Sequence, residues 1–278
     1  MGWFRRKPLL DAELSGWQFD VFEWLLRHAG GMSALARRQL VTPTSKDFPQ
    51  RGFQGHAMAL ALFEQVKEHA GMLDWPCVLQ PQQADPDIHV GPALLVQGAP
   101  QSPAGTYRRG EEGVVITYRS AGLSDPESLI ATLAHELAHY RTADFPEPPP
   151  GGCELWEPAT DLTAVFLGFG LFLTNSHFRF SQHMNQDSLG WRTTRHGYLS
   201  EPELLHAHAI FCALRGLPVA ETLRHLKPAL RGLCKRLFRE VAACTERLDQ
   251  LRAMVGTSVH SAGGQADLVR ASALIGRS

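Results

Sequence analysis

Nine residues near the middle of the chain, Asp144 to Gly152, read Asp-Phe-Pro-Glu-Pro-Pro-Pro-Gly-Gly. Proline fixes φ and lacks an amide proton, and glycine favours irregular backbone, so this stretch cannot be helical and must be a loop. Helical patterning flanks it on both sides, so the chain has to fold with two separate helices that can turn back on one another. Upstream, Ser124 and Glu127 stand three apart in a capping-box arrangement, with Pro126 tolerated in the first turn. The pattern continues through Leu129, Leu133, Leu137 and Tyr140 to about Thr142. Downstream, a helix is predicted to open near Glu157-Pro158 and to carry an apolar run to about Leu173.

The remaining chain predicts helices at 11–29, ended by Gly30-Gly31, and at 55–70, with a polar loop over 41–51 between them. Between 72 and 122 the texture changes. Short β-favouring runs at 76–79, 93–96 and 114–118 alternate with Pro, Gly, Gln and Asp clusters, and residues 108–113 resemble a hairpin loop. A small, mostly antiparallel sheet is expected here. From Glu201 onward the chain reads helical, with breaks at Pro218 and Pro228 and a Ser/Gly/Ala-rich tail over 256–278 expected to be disordered. The expectation is an α+β protein with segments 1–50 (N-terminal helices), 51–174 (sheet and the two central helices), 175–255 (helical) and 256–278 (tail).

The function classes are narrowed by charge and cysteine usage. Lys plus Arg number 27 against 28 Asp plus Glu, which argues against a nucleic-acid surface. Five cysteines with no CxxC pair suit a reducing compartment. The longest mainly apolar run, Leu162 to Leu173, is well short of the ~20 residues that cross a bilayer. No secretory signal pattern is present in the first thirty residues, so the expected location is the cytoplasm. A chain of 278 residues buries a sizeable core without a structural metal, so any metal here is expected to serve chemistry.

His135-Glu136-Leu137-Ala138-His139 is an HExxH sequence inside the predicted upstream helix. Residues four apart share one helix face, so the two imidazoles can reach one cation. Glu136 sits one step round the helix, where it can take a proton from water activated by the metal. Zinc needs a third protein ligand and an open fourth position. Glu157 opens the helix beyond the proline-rich loop, and Asp161 follows one turn later on the same face. A carboxylate there can bind zinc while its neighbour accepts a hydrogen bond from a ligand imidazole. Acidic residues at a helix start also serve the helix dipole, so the spacing alone does not decide between the two roles. Cys153 on the loop is a further conceivable ligand of the right chemistry.

HELAHY, then a loop, then ExxxD opening a helix resembles the gluzincin metallopeptidases, the thermolysin-like clan. Thr142 and Asp144 after the motif are also similar to the thermolysin pattern, and EPATDLTAVFLGFG resembles uncharacterised bacterial proteins bearing an HExxH motif. The resemblance spans roughly 110–175. It implies a zinc-dependent peptidase acting on a peptide or protein, with His135, His139 and Glu157 as ligands, Glu136 as general base and Asp161 supporting a histidine. It further implies a strand at the cleft edge that pairs with substrate, for which Val114 to Tyr118 is the candidate. Members of the clan add a Tyr, His or Arg from the C-terminal half to stabilise the oxyanion. Candidates are His196, Tyr198, His206 and His208, of which Tyr198 is preferred for its position just before a helix start. Two rival readings are a zinc-binding regulatory module with little catalysis and a zinc amidase acting on a non-peptide substrate.

Overall fold

The computed structural model describes residues 7–50, 52–82, 88–89, 95–96, 104–111, 113–181 and 199–255. Tyr198, His196 and the 256–278 tail lie outside the described residues. The fold is α+β. Helices α1 (Ala12–His28), α2 (Gly31–Ala36) and α3 (Gly55–His69) precede the strands β1 (Cys77–Pro81), β2 (Ile88–His89), β3 (Leu95–Val96), β4 (Gly105–Gly110) and β5 (Gly113–Tyr118). Then come α4 (Pro126–Thr142), α5 (Trp156–Ala164), α6 (Gly170–Ser181), α7 (Glu201–Arg215), α8 (Val219–His225), α9 (Arg231–Ala242) and α10 (Thr245–Arg252).

The sheet departs from expectation in two ways. It is mixed: the order is β1-β5-β4, with β1 parallel and β4 antiparallel to the central strand. The roughly thirty residues between β1 and β5 are long enough for the crossover that parallel pairing requires. The hairpin is also tighter than 108–113, since Arg108, Arg109 and Gly110 belong to β4 and Gly110 already pairs with Gly113. Separately, β2 and β3 form a two-stranded antiparallel pair.

Helix α4 begins differently from its predicted capping box. Ser124 Oγ donates to the Ala121 carbonyl inside a short 3-10 turn, leaving Asp125 as the N-cap residue. Asp125 accepts from Ser128 Oγ at 2.5 Å. The helix after the loop is also interrupted. Between α5 and α6 the backbone widens into a π segment, Val165–Phe169, in which Gly168 takes φ 107°. Only glycine fits there, because a Cβ would lie 2.2 Å from the Gln39 carbonyl oxygen. The Gly168 carbonyl accepts from the Val41 amide at 3.1 Å, docking the 37–42 segment onto this kink.

The proline-rich loop is held by the N-terminal helix. Trp17 Nε1–H donates to the Pro150 carbonyl at 2.8 Å and Trp24 Nε1–H to the Glu147 carbonyl at 3.1 Å. One contiguous core includes Phe22 of α1, Phe63 of α3, Ile116 of β5, Leu133 of α4, Leu162 of α5 and Ile210 of α7. Each such buried side chain contributes about 1.5–3 kcal/mol relative to exposure. That packing fixes α5 against α4, and with it the relation of the two acid-bearing and histidine-bearing segments. Among the described residues no helix is long and apolar enough to cross a membrane.

Candidate metal centre

His135 and His139 project from α4 toward the first turn of α5. The Nε2 atoms of both approach one oxygen, Glu157 Oε2, at 3.3 Å and 3.5 Å. The two imidazole rings stand nearly perpendicular, 82° apart, with centroids 4.8 Å from each other. Ligand atoms at about 2.05 Å from a tetrahedral zinc sit roughly 3.3 Å apart, so the two distances to Glu157 match that spacing, and all three ligand atoms lie within 4.8 Å of one another. Among the described residues this is the one group of three or more His, Cys, Asp or Glu side chains within ligating reach. The donor chemistry, two imidazole nitrogens and one carboxylate, also suits zinc.

The site is graded from inside to outside. His135 is buried, the His139 side chain is 16% exposed and that of Glu157 is 50% exposed. A cation here would therefore be open to solvent and substrate from the Glu157 side.

Asp161 lies one turn beyond Glu157, and its two oxygens have separate partners. Oδ1 lies 2.9 Å from His135 Nδ1, and Oδ2 accepts from the Leu199 backbone amide at 3.0 Å. A carboxylate accepts only, so His135 donates Nδ1–H to Asp161, which leaves Nε2 as the nitrogen that faces Glu157. Burial depresses the His135 pKa, but hydrogen bonds to Asp161 and Glu157 outweigh it and raise it to about 10. Those same bonds, from His135 first and then His139, hold the Glu157 carboxyl well below the usual carboxylate range against the effect of its partial burial. The cluster is thus built to favour a positive charge among its members.

Glu136 stands beside this group and outside it. It is 4% exposed, and burial raises its pKa against the opposing pull of His135 and His139. The Tyr107 backbone of β4 forms a hydrogen bond to its carboxylate. Strand β4 can lie this close because position 105 is glycine: a Cβ there would fall 2.6 Å from Thr132 Cγ2 and 2.9 Å from Glu136 Oε1. The Tyr107 ring also stacks on His139, 15° from parallel with centroids 6.3 Å apart.

The strand nearest the site is thus β4. Val114 to Tyr118 forms the centre of the sheet, with both of its edges occupied by β1 and β4, so its amides have no freedom to pair with a peptide. On its far side β4 has no strand partner among the described residues.

Neither His206 nor His208 reaches the site. His206 is buried between Ser15 Oγ, 3.1 Å from Nε2, and Gln18 Oε1, 2.8 Å from Nδ1. His208 meets Thr222 Oγ1 at 2.9 Å. Burial lowers the pKa of each to about 4. Asp144 forms a bidentate pair with Arg109 at 2.6 and 2.8 Å, and Cys153 is an exposed free thiol, so neither joins the donor group. Gly105, Tyr107 and Thr160 are site residues that the sequence reading missed. Thr160 alone carried a signal, being three positions after Glu157 and on the same helix face.

No protein-family model matches the chain, and neither does any curated protein or any solved structure.

Proposed function

We propose that this protein is a zinc-dependent hydrolase that cleaves peptide bonds. The observation that carries the reading is the convergence of His135 Nε2, His139 Nε2 and Glu157 Oε2, with a further carboxylate, Glu136, alongside and outside the donor group. Bound there, zinc would supply Lewis acidity, lowering the pKa of a water and polarising the scissile carbonyl.

The chain's own groups would do the rest. Glu136 accepts the proton of the attacking water and returns it to the departing amine; its raised pKa suits both transfers. Asp161 holds the His135 ring in the tautomer that exposes Nε2. The edge of β4 that has no strand partner among the described residues offers backbone groups to an extended peptide, a pairing mode that supplies affinity without sequence demands. A purely binding module has no use for Glu136, a buried carboxylate with a raised pKa that ligates nothing, and this favours catalysis over regulation alone.

The test is a peptide-library hydrolysis screen of the wild type beside Glu136→Gln, with zinc content measured on both. The variant is expected to keep its zinc and fold while losing activity by about 10³-fold, since an amide cannot take the proton. A variant retaining most of a detected activity would overturn the mechanism.

A further inference from the structure

Glu157, Thr160 and Asp161 occupy positions i, i+3 and i+4 of α5, so all three face α4. Glu157 meets both histidines and Asp161 supports His135. Thr160, 2% exposed, places Oγ1 3.3 Å from His139 Nδ1. Its hydroxyl also donates to the Trp156 carbonyl at 2.9 Å.

That second bond is common in this protein. Thr132, Thr163 and Thr174 bond the carbonyl four residues back in the same way. It would therefore mark Thr160 as an ordinary helical threonine if it stood alone. Combined with the His139 contact it has a consequence. A carbonyl can only accept, so the Thr160 proton is committed to Trp156, and Oγ1 can meet His139 only as an acceptor. His139 then donates from Nδ1, which leaves Nε2 as the nitrogen that faces Glu157 and a cation.

Resting on the zinc reading above, we propose that Thr160 is a positioning residue: its hydroxyl, oriented by the Trp156 carbonyl, fixes the tautomer and ring angle of His139 for metal binding. One helix turn thus supplies a ligand and both ligand supports. The two supports are unequal, a charged carboxylate for His135 and a neutral hydroxyl for His139. Tyr107, stacked on the His139 ring, limits its rotation from the other side.

The experiment measures zinc affinity by chelator competition on the full-length protein, for the wild type and for Thr160→Val, Thr160→Ala and Thr160→Ser. Circular dichroism checks that each folds. Valine keeps the shape and removes the acceptor; alanine serves if valine fails to fold; serine restores the hydroxyl. Thr160→Val or Thr160→Ala is expected to bind zinc about 10–100-fold more weakly, as for other supports of ligand histidines, and Thr160→Ser to recover most of that loss. Wild-type affinity in both hydroxyl-free variants, or weakening that serine does not restore, would overturn the role of Thr160 while leaving the metal centre intact. A wild type that binds no zinc would overturn both readings.

Discussion

Helices α4 and α7 each carry a pair of closely spaced histidines in the protein interior, His135 with His139 and His206 with His208. On α4 the pair is four apart, shares a face and meets carboxylates; the pKa of His135 is pushed up to about 10. On α7 the pair is two apart, so the rings diverge to different neighbours. There they meet Ser15, Gln18 and Thr222, all neutral, and both pKa values fall to about 4. Burial is common to both regions. What differs is the partner, and the partner decides whether a buried imidazole is a neutral structural group or part of a site for positive charge.

Glu157→Ala should break the α4 side most severely. Only two imidazoles would remain, and most of the zinc should be lost on metal analysis, whereas His206→Gln should retain the wild-type content. Equal zinc in Glu157→Ala and wild type would remove Glu157 from the donor set. Asp161→Ala should act less strongly, weakening zinc affinity about 10–100-fold without abolishing binding. Total loss of metal would instead make Asp161 a ligand.

The α7 side is read through pH. His206 and His208 bind protons in the unfolded chain near their ordinary value of 6.5 and in the folded protein only near 4. Between those values the unfolded state holds more protons, so stability is full above about pH 6.5 and is lost as the pH falls toward 4. Each histidine contributes a slope of up to about 1.4 kcal/mol per pH unit within that window. Denaturant unfolding at several pH values should show a shallower acid slope in His206→Gln than in wild type. An unchanged slope would mean that His206 is already protonated in the fold or not desolvated.

These contrasts also explain what could be read in the sequence. The α4 pair and the ExxxD turn are local patterns: helical spacing places His135 with His139, and Glu157 with Asp161, whatever the rest of the chain does. The proline-rich loop made the two helices separate elements, and the fold adds that Trp17 and Trp24 pin that loop. What was not legible depended on contacts between distant segments. Gly105 and Tyr107 reach Glu136 only because β4 packs along α4. Likewise Val114 to Tyr118 had the composition of any half-buried strand, and only the pairing order shows that it is central and that β4 is the edge. The Ser124–Glu127 box failed for a local reason, since Ser124 belongs to a 3-10 turn and the helix takes Asp125, one position later, as its N-cap. His206 and His208 misled because position in the C-terminal half says nothing about which neighbours a buried ring meets.

The proposed centre has α4 and α5 together holding one zinc ion through two imidazoles and one carboxylate. The most direct test is metal analysis with X-ray absorption at the zinc edge, on protein purified without chelator, for wild type and His139→Ala. Such a centre predicts about one zinc per chain in the wild type, with nitrogen and oxygen neighbours at roughly 2.0–2.2 Å and no sulfur, and loss of most of the metal in His139→Ala. A wild type that contains no zinc and takes up none when it is supplied, or bound zinc that His139→Ala leaves unchanged, would contradict it.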